Sequence, residues 1–305
     1  MKVALLDFGK KGFPNLALMK LSAYHKSLGD EVGLLDRIVF KPDRVYVSVP
    51  FSWNLQNALG IKLLYPEIDF RYGGSGYSFD TLPDVIEHIL PDYGLYPIDF
   101  SMGFTSRGCV RKCEFCIVPS KEGFIHDHAP LTEFLNPYHR KVMLLDNNLL
   151  ATPSYRNTLL QIRDLWLKVD FNQGLDIRLV NRENAALLAD IRYYGYPDWS
   201  RRTLRFAFDN MRDKPLIERG IQYLLEAGIK ASHLFFYILA GFDSTVEEDV
   251  ARVELIKSYG SVPFIMKYNR KTTKHLNKLA KWVNHIPYYQ VYSFGEFNPL
   301  IRRQQ

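Results

Sequence analysis

HLFFYILAGFDSTVEEDVARVELIKSYG, residues 233–260, reads as one β-strand delivering the chain into one α-helix. The apolar run His233–Phe242 is too short for a helix and ends at a glycine and a polar turn, the mark of a buried strand. Thr245 followed three residues later by Glu248 makes a capping box, and Gly260 stops the helix. Working outward, the same pattern recurs. FSMGFTSRG, VMLLDNN, KVDFNQG, LRFAFDN and PFIMKYN are further apolar strands. LTEFL, PSYRNTLLQIRDLWL, RENAALLADIRYYG and KPLIERGIQYLLEAG are helical segments between them. Asn181, and Thr152 before Pro153, stand at helix starts, and Gly195 and Gly228 at helix ends. Alternation of this kind predicts βα units and a parallel sheet. Six such units fall short of a closed eight-fold barrel, so the expectation is an α/β fold built on a six-fold partial (βα) barrel. Its chemistry belongs at the C-terminal ends of the strands.

Before this array the chain reads as a small doubly wound α/β domain. KVALLDF is a strand, NLALMKLSAYHKSLG a helix, and EVGLLD and RVYVSVPF two buried parallel strands. The expected organisation is residues 1–95 for this domain, 96–270 for the barrel and 271–305 for a basic C-terminal helix and tail. The 305 residues carry a net charge of +6, with five basic and no acidic residues from Arg270 to Lys281. Leu276, Leu279, Ala280 and Val283 give that segment one apolar face, which predicts a helix docked with its lysines outward. The bland reading of the charge is a solvated face, and the functional one a contact with RNA or another acidic substrate. No signal segment or membrane span is legible, so the expected setting is cytoplasmic, with no membrane partner.

The loop after the first barrel strand, GFTSRGCVRKCEFCIVPSKEG, holds Cys109, Cys113 and Cys116, the only cysteines of the chain. In a reducing compartment, clustered thiols point to metal or redox chemistry. Three thiolates with His126 or His128 would complete a Cys3His zinc site. A [4Fe–4S] cluster normally takes four thiolates, and three would leave one iron open to a small chelating molecule.

The C-x3-C-x2-C spacing, with aromatic Phe115 before the last cysteine, resembles the signature of the radical S-adenosylmethionine (radical SAM) superfamily. The resemblance covers roughly residues 96–270. It implies a [4Fe–4S] cluster on Cys109, Cys113 and Cys116, S-adenosyl-L-methionine on the open iron, and a one-electron reductant of flavodoxin or ferredoxin type. It implies reductive cleavage to a 5′-deoxyadenosyl radical that acts on a substrate which the motif does not name. It also implies cofactor contacts at the strand ends: Asp146, Asn147 and Asn148 after the second, Asp209 and Asn210 after the fourth, and Gly241 after the fifth. Where superfamily members often carry Gly-Gly-Glu for the methionine ammonium, this chain has Asp146-Asn147-Asn148. Gln173, Asp176 and Arg178 after the third strand, and Met266, Tyr268 or Asn269 after the sixth, are candidate cofactor or substrate contacts.

The continuation CEFCIVP is similar to the loop of the tRNA methylthiotransferases, whose second cluster needs further cysteines that this chain lacks. An RNA- or peptide-modifying enzyme of that kind is one alternative. The front domain resembles the cobalamin-binding domains of other members, which makes a cobalamin-dependent methyltransferase a second. Its first loop, DFGKKGFPN, lacks the cobalt-ligating histidine, and His25 falls inside the predicted helix, so cobalamin is not expected. GGSG, residues 73–76, is where such a domain would place glycines against the cofactor. A non-catalytic zinc-binding module is the third alternative.

Overall fold

The computed structural model describes residues 1–268, 273–285 and 288–298. In chain order its elements begin with β1 (Lys2–Asp7), α1 (Leu16–Ser27), β2 (Glu31–Leu34), β3 (Arg44–Ser48), α2 (Leu55–Leu64), β4 (Asp69–Gly73), α3 (Asp84–Glu87) and β5 (Ser101–Gly103). They continue with β6 (Ser106–Arg107), α4 (Val118–Lys121), β7 (His126–Asp127), α5 (Leu131–Phe134), β8 (Lys141–Leu144), α6 (Tyr155–Asp164), β9 (Lys168–Phe171), α7 (Arg182–Asp190) and β10 (Arg192–Tyr193). The last are β11 (Leu204–Ala207), α8 (Lys214–Glu226), β12 (Leu234–Ala240), α9 (Val246–Ser258), β13 (Val262–Lys267), α10 (Lys274–Asn284) and α11 (Tyr288–Val291). The fold is mixed α/β with parallel sheets. Two compact units divide the chain: Met1–Phe104 with Ala129–Val142, and Thr105–His128 with the chain from Met143.

In the first unit a four-stranded sheet runs β2-β1-β3-β4, every pair parallel. Val3, Ala4, Val45, Val47 and Val49 are buried, as strands covered on both faces require. Asn15 caps α1 through Leu18 N, and its side-chain amide donates to Asp7 Oδ1 at 3.0 Å and Ser48 Oγ at 2.8 Å. His25 is a satisfied interior histidine: Nδ1 lies 2.7 Å from Asp30 Oδ2 and Nε2 3.0 Å from the Tyr46 hydroxyl. The strand β4 and helix α2 extend the domain beyond the β-α-β opening read from sequence. A Cβ on Gly76 would come within 2.3 Å of the Phe51 carbonyl carbon. The expected glycine stretch is therefore occupied by close approach of the loop after β3.

In the second unit β10 pairs in parallel with β9, and β11-β12-β13 form a parallel sheet with α8 and α9 in its crossovers. A parallel bridge joins Leu175 to Phe206, and the fully buried carboxylate of Asp170 on β9 pairs with Arg205 on β11. The capping boxes at Asn181 and Thr245 are formed, and Gly228 and Gly260 take positive φ after α8 and α9. Helix α10 lays Leu276, Leu279, Trp282 and Val283 into the core, and Asn284 bonds both backbone polar groups of Ile265, at 2.8 and 3.0 Å.

Three local expectations are corrected. The helix expected through Gly195 ends at Asp190, and Arg192–Tyr193 form β10 instead, opposite Lys168 and Val169. Buried Ile191 and Tyr193 suit a strand here, although IRYYG also continues the helical spacing. Thr152 does not cap a helix; its hydroxyl turns back to Leu149 O at 3.2 Å, and α6 begins at Tyr155. The first expected barrel strand, FSMGFTSRG, is broken in two, β5 and β6, and β6 pairs antiparallel with β7 at the base of the cysteine loop. Arg270 and Lys271 of the basic run, with Asn269, lie outside the described residues. Among the described residues no helix is long and apolar enough to cross a membrane.

Candidate cofactor site at the cysteine loop

The three cysteines sit between β6 and α4, each partly buried and none in a disulfide. The hairpin β6–β7 forms the stem of this loop, with Ser106 opposite Asp127 and Arg107 opposite His126. Gly108 starts the excursion at φ +76°, and a Cβ there would meet Phe124 O at 2.4 Å. Only glycine fits both the backbone conformation and the space.

Two acidic side chains from different parts of the chain hold this stem. Glu122 receives Arg107 at 3.1 Å, the Gly108 amide at 3.2 Å and the Asn147 side-chain amide at 2.6 Å. Burial alone would raise its carboxyl; Arg107, the Gly108 amide, Lys121 and Asn147 more than offset that and hold it below the usual carboxylate range. Asp146 receives four hydrogen bonds, from the amides and hydroxyls of Thr105 and Ser106. It is buried, and desolvation pushes its carboxyl up despite those donors. The charge expected to face a cationic ammonium is thus committed to the loop stem. Glu122 was not singled out from the sequence, and nothing in SKEG distinguishes it there.

The sulfurs are supplied with N–H donors. Cys109 Sγ receives the Arg111 amide at 3.3 Å and the Asn148 side-chain amide at 3.5 Å, and Cys116 Sγ receives the Val118 amide at 3.5 Å. Desolvation raises the thiol pKa of both Cys113 and Cys116, with the other thiols as further, smaller raising influences. The Asn148 Oδ1 atom is buried without a hydrogen-bond partner.

Around the loop the structure places the other candidates. Asp176 is clamped between Arg111, at 2.9 Å, and Arg178, at 2.7 Å, and Arg178 reaches on to Asp213 at 2.8 Å. Desolvation would raise Asp176, but the two guanidinium groups outweigh it and keep the carboxyl low. Gln173 is exposed and donates to the Asn172 side chain at 3.4 Å. Asp209 takes the Leu239 amide at 3.1 Å and is raised by burial, while Asn210 turns to Arg212 and, at 3.5 Å, to Asp243. Gly241 has φ +82°, and the space beside its Cα is filled by the Leu276 side chain. Phe115 meets Phe242 edge-on at 5.4 Å, and Phe242 meets Tyr268 at 4.8 Å. Phe242 was missed in the sequence because it looks like one more apolar strand residue. Met266 is half exposed, and His126 stands exposed on β7 with Nδ1 at 2.9 Å from Phe124 O.

Among the described residues no group of three or more His, Cys, Asp or Glu side chains is already arranged to hold a metal ion. The donor set itself, three thiols with N–H groups aimed at two of the sulfurs, fits a thiolate-ligated cluster, whose sulfurs are characteristically hydrogen-bonded. No protein-family model matches the chain, and no curated protein matches it in sequence.

Proposed function

We propose that this chain is a radical SAM enzyme, with Cys109, Cys113 and Cys116 holding a [4Fe–4S] cluster that binds S-adenosyl-L-methionine. The observation that carries this reading is the loop: every thiol of the chain lies in one C-x3-C-x2-C run, and backbone or side-chain N–H groups donate to two of its sulfurs. Held by Cys109, Cys113 and Cys116, such a cluster would supply one-electron reduction, from a flavodoxin- or ferredoxin-type donor, for the reductive cleavage of S-adenosylmethionine.

The chain's own residues then have separable tasks. The Glu122 and Asp146 networks hold the loop stem. Asn148, with a buried acceptor left over, is placed to take a hydrogen bond from a bound molecule. Asp209 and Asn210 offer polar groups to the ribose hydroxyls, while the glycine at 241 makes room for the Leu276 side chain. Phe115, Phe242 and Tyr268 form a run of edge-on ring contacts on one side of the loop, an apolar wall for a bound cofactor. The six-fold partial barrel belongs to the same proposal. The bridge from Leu175 to Phe206 and the Asp170–Arg205 pair support it, because they tie β9 and the turn after it to β11 of the parallel β11-β12-β13 sheet.

The test is anaerobic reconstitution with iron and sulfide, then S-adenosylmethionine and dithionite. The expected product is 5′-deoxyadenosine, lost in Cys113→Ala. Purified protein with one zinc per chain and no capacity for iron and sulfide would overturn the reading.

A further inference from the structure

Two donors from two segments of the second unit meet one sulfur, and a carboxylate from a third segment holds both. Arg111 lies between the first two cysteines, Asn148 follows β8, and Asp176 follows β9. The Asn148 side-chain amide points at Cys109 Sγ (3.5 Å) and at Asp176 Oδ2 (3.4 Å). Arg111 gives its backbone N–H to Cys109 Sγ (3.3 Å) and its guanidinium to the same Asp176 oxygen (2.9 Å). One carboxylate oxygen thus anchors both of the residues that donate to Cys109. Arg178 grips both oxygens, Oδ1 through Nε at 2.7 Å and its backbone amide at 3.1 Å, and Oδ2 through Nη2 at 3.1 Å, which fixes the plane of the carboxylate. Asp176 is itself buried, with its side chain 6% exposed, which keeps water from competing for these bonds.

We propose that Asp176 is a positioning residue for Cys109: it holds Arg111 and Asn148 so that both of their N–H groups point at that sulfur. The proposal rests on the reading of Cys109 as a ligand. Its role is that of the outer partners of metal ligands, which orient the ligand and set how strongly it donates. Arg111 and Asn148 act on the sulfur directly, and Asp176 acts through them. The residue therefore ties the cysteine loop to the end of β9 and tunes the same thiolate.

The experiment uses the reduced, metal-free full chain and Co2+ as the probe, following the thiolate-to-cobalt charge-transfer band. Asp176→Asn is expected to weaken Co2+ binding about tenfold or more, in line with other outer-partner losses. With the N–H donors released, the sulfur becomes a stronger donor and the band moves to lower energy. Arg111→Gln is expected to weaken binding by less, since Asn148 keeps its contact with Asp176, and the double variant little beyond Asp176→Asn alone, because Arg111 acts through that carboxylate. Weaker binding with an unchanged band in a folded variant shows a merely bracing role and overturns the proposal. Unchanged affinity in Asp176→Asn, losses that add in the double variant, or wild-type protein that binds no Co2+ also overturn it. Should Asp176→Asn fail to fold by circular dichroism, Asn148→Ala carries the test, since it removes one donor directly; an unmoved band then sinks the idea. Reconstitution of the wild type with iron and sulfide separates the two readings. Protein that binds Co2+ with these variant effects but builds no iron–sulfur chromophore loses the enzymatic reading and keeps the role of Asp176.

Discussion

Asp146 accepts both the backbone amide and the hydroxyl of Ser106, each at 2.6 Å, across forty positions of sequence. Thr105 adds two more donors to the same carboxylate. Asparagine in its place would bring its own N–H group against these donors, leaving buried hydrogens unmatched. Hydrogen bonds to a charged group contribute about 1.5–3 kcal/mol each, and an unmatched buried donor costs about 1–3 kcal/mol. Asp146→Asn is therefore expected to destabilise the folded chain by about 3 kcal/mol, read as a lower urea midpoint with an unchanged slope.

The Asp170–Arg205 pair answers to a different argument. Asp170 is wholly buried, and burial raises its carboxyl while Arg205 opposes that. Removing one partner of a buried ion pair strands the other, at a cost of about 3–5 kcal/mol. Arg205→Met should lose that much, whereas the double change Asp170→Leu, Arg205→Met should recover most of it. Denaturant curves on the three proteins check this; equal losses in the single and double variants contradict it.

How far the sequence carried the fold can be seen at particular residues. Thr245 with Glu248, and Asn181, announced their helices because capping depends on two or three adjacent residues. Strand β10 was hidden because Ile191 and Tyr193 keep a spacing that either period accommodates, and only pairing with Lys168 and Val169 decides it. The cysteine loop was legible from composition alone. The environment of its sulfurs was not, because Asn148, Asp176 and Glu122 reach it from distant segments or from an unremarkable stretch. Asp146 was seen as polar at a strand end, yet its partners at Thr105 and Ser106 could not be read from spacing.

Glu122 predicts a pH dependence. Its folded carboxyl lies below its ordinary value, so the latch contributes stability that is present above the unfolded value near 4.5. That contribution is lost as the pH falls through the depressed folded value. The stability difference between wild type and Glu122→Gln should accordingly be full at pH 6 and shrink steadily below about pH 4.5. Paired denaturation series at several pH values measure it, and a difference that grows toward acid pH contradicts the assignment.

The aromatic contact of Phe115 with Phe242 offers a last prediction, on the wall beside the cysteines. Edge-to-face pairs contribute about 0.5–1.5 kcal/mol beyond simple area burial. Phe115→Leu and Phe242→Leu keep apolar volume but remove the ring-to-ring geometry seen at 5.4 Å. A double-mutant cycle on stability should return a coupling of about 1 kcal/mol, the midpoint of that range. Because Phe242 also meets Tyr268 at 4.8 Å, Phe242→Leu should lose more than Phe115→Leu. On the proposed function, both variants also admit water beside the reacting centre and raise 5′-deoxyadenosine formation uncoupled from substrate. Independent, additive losses would show that the rings merely lie near one another.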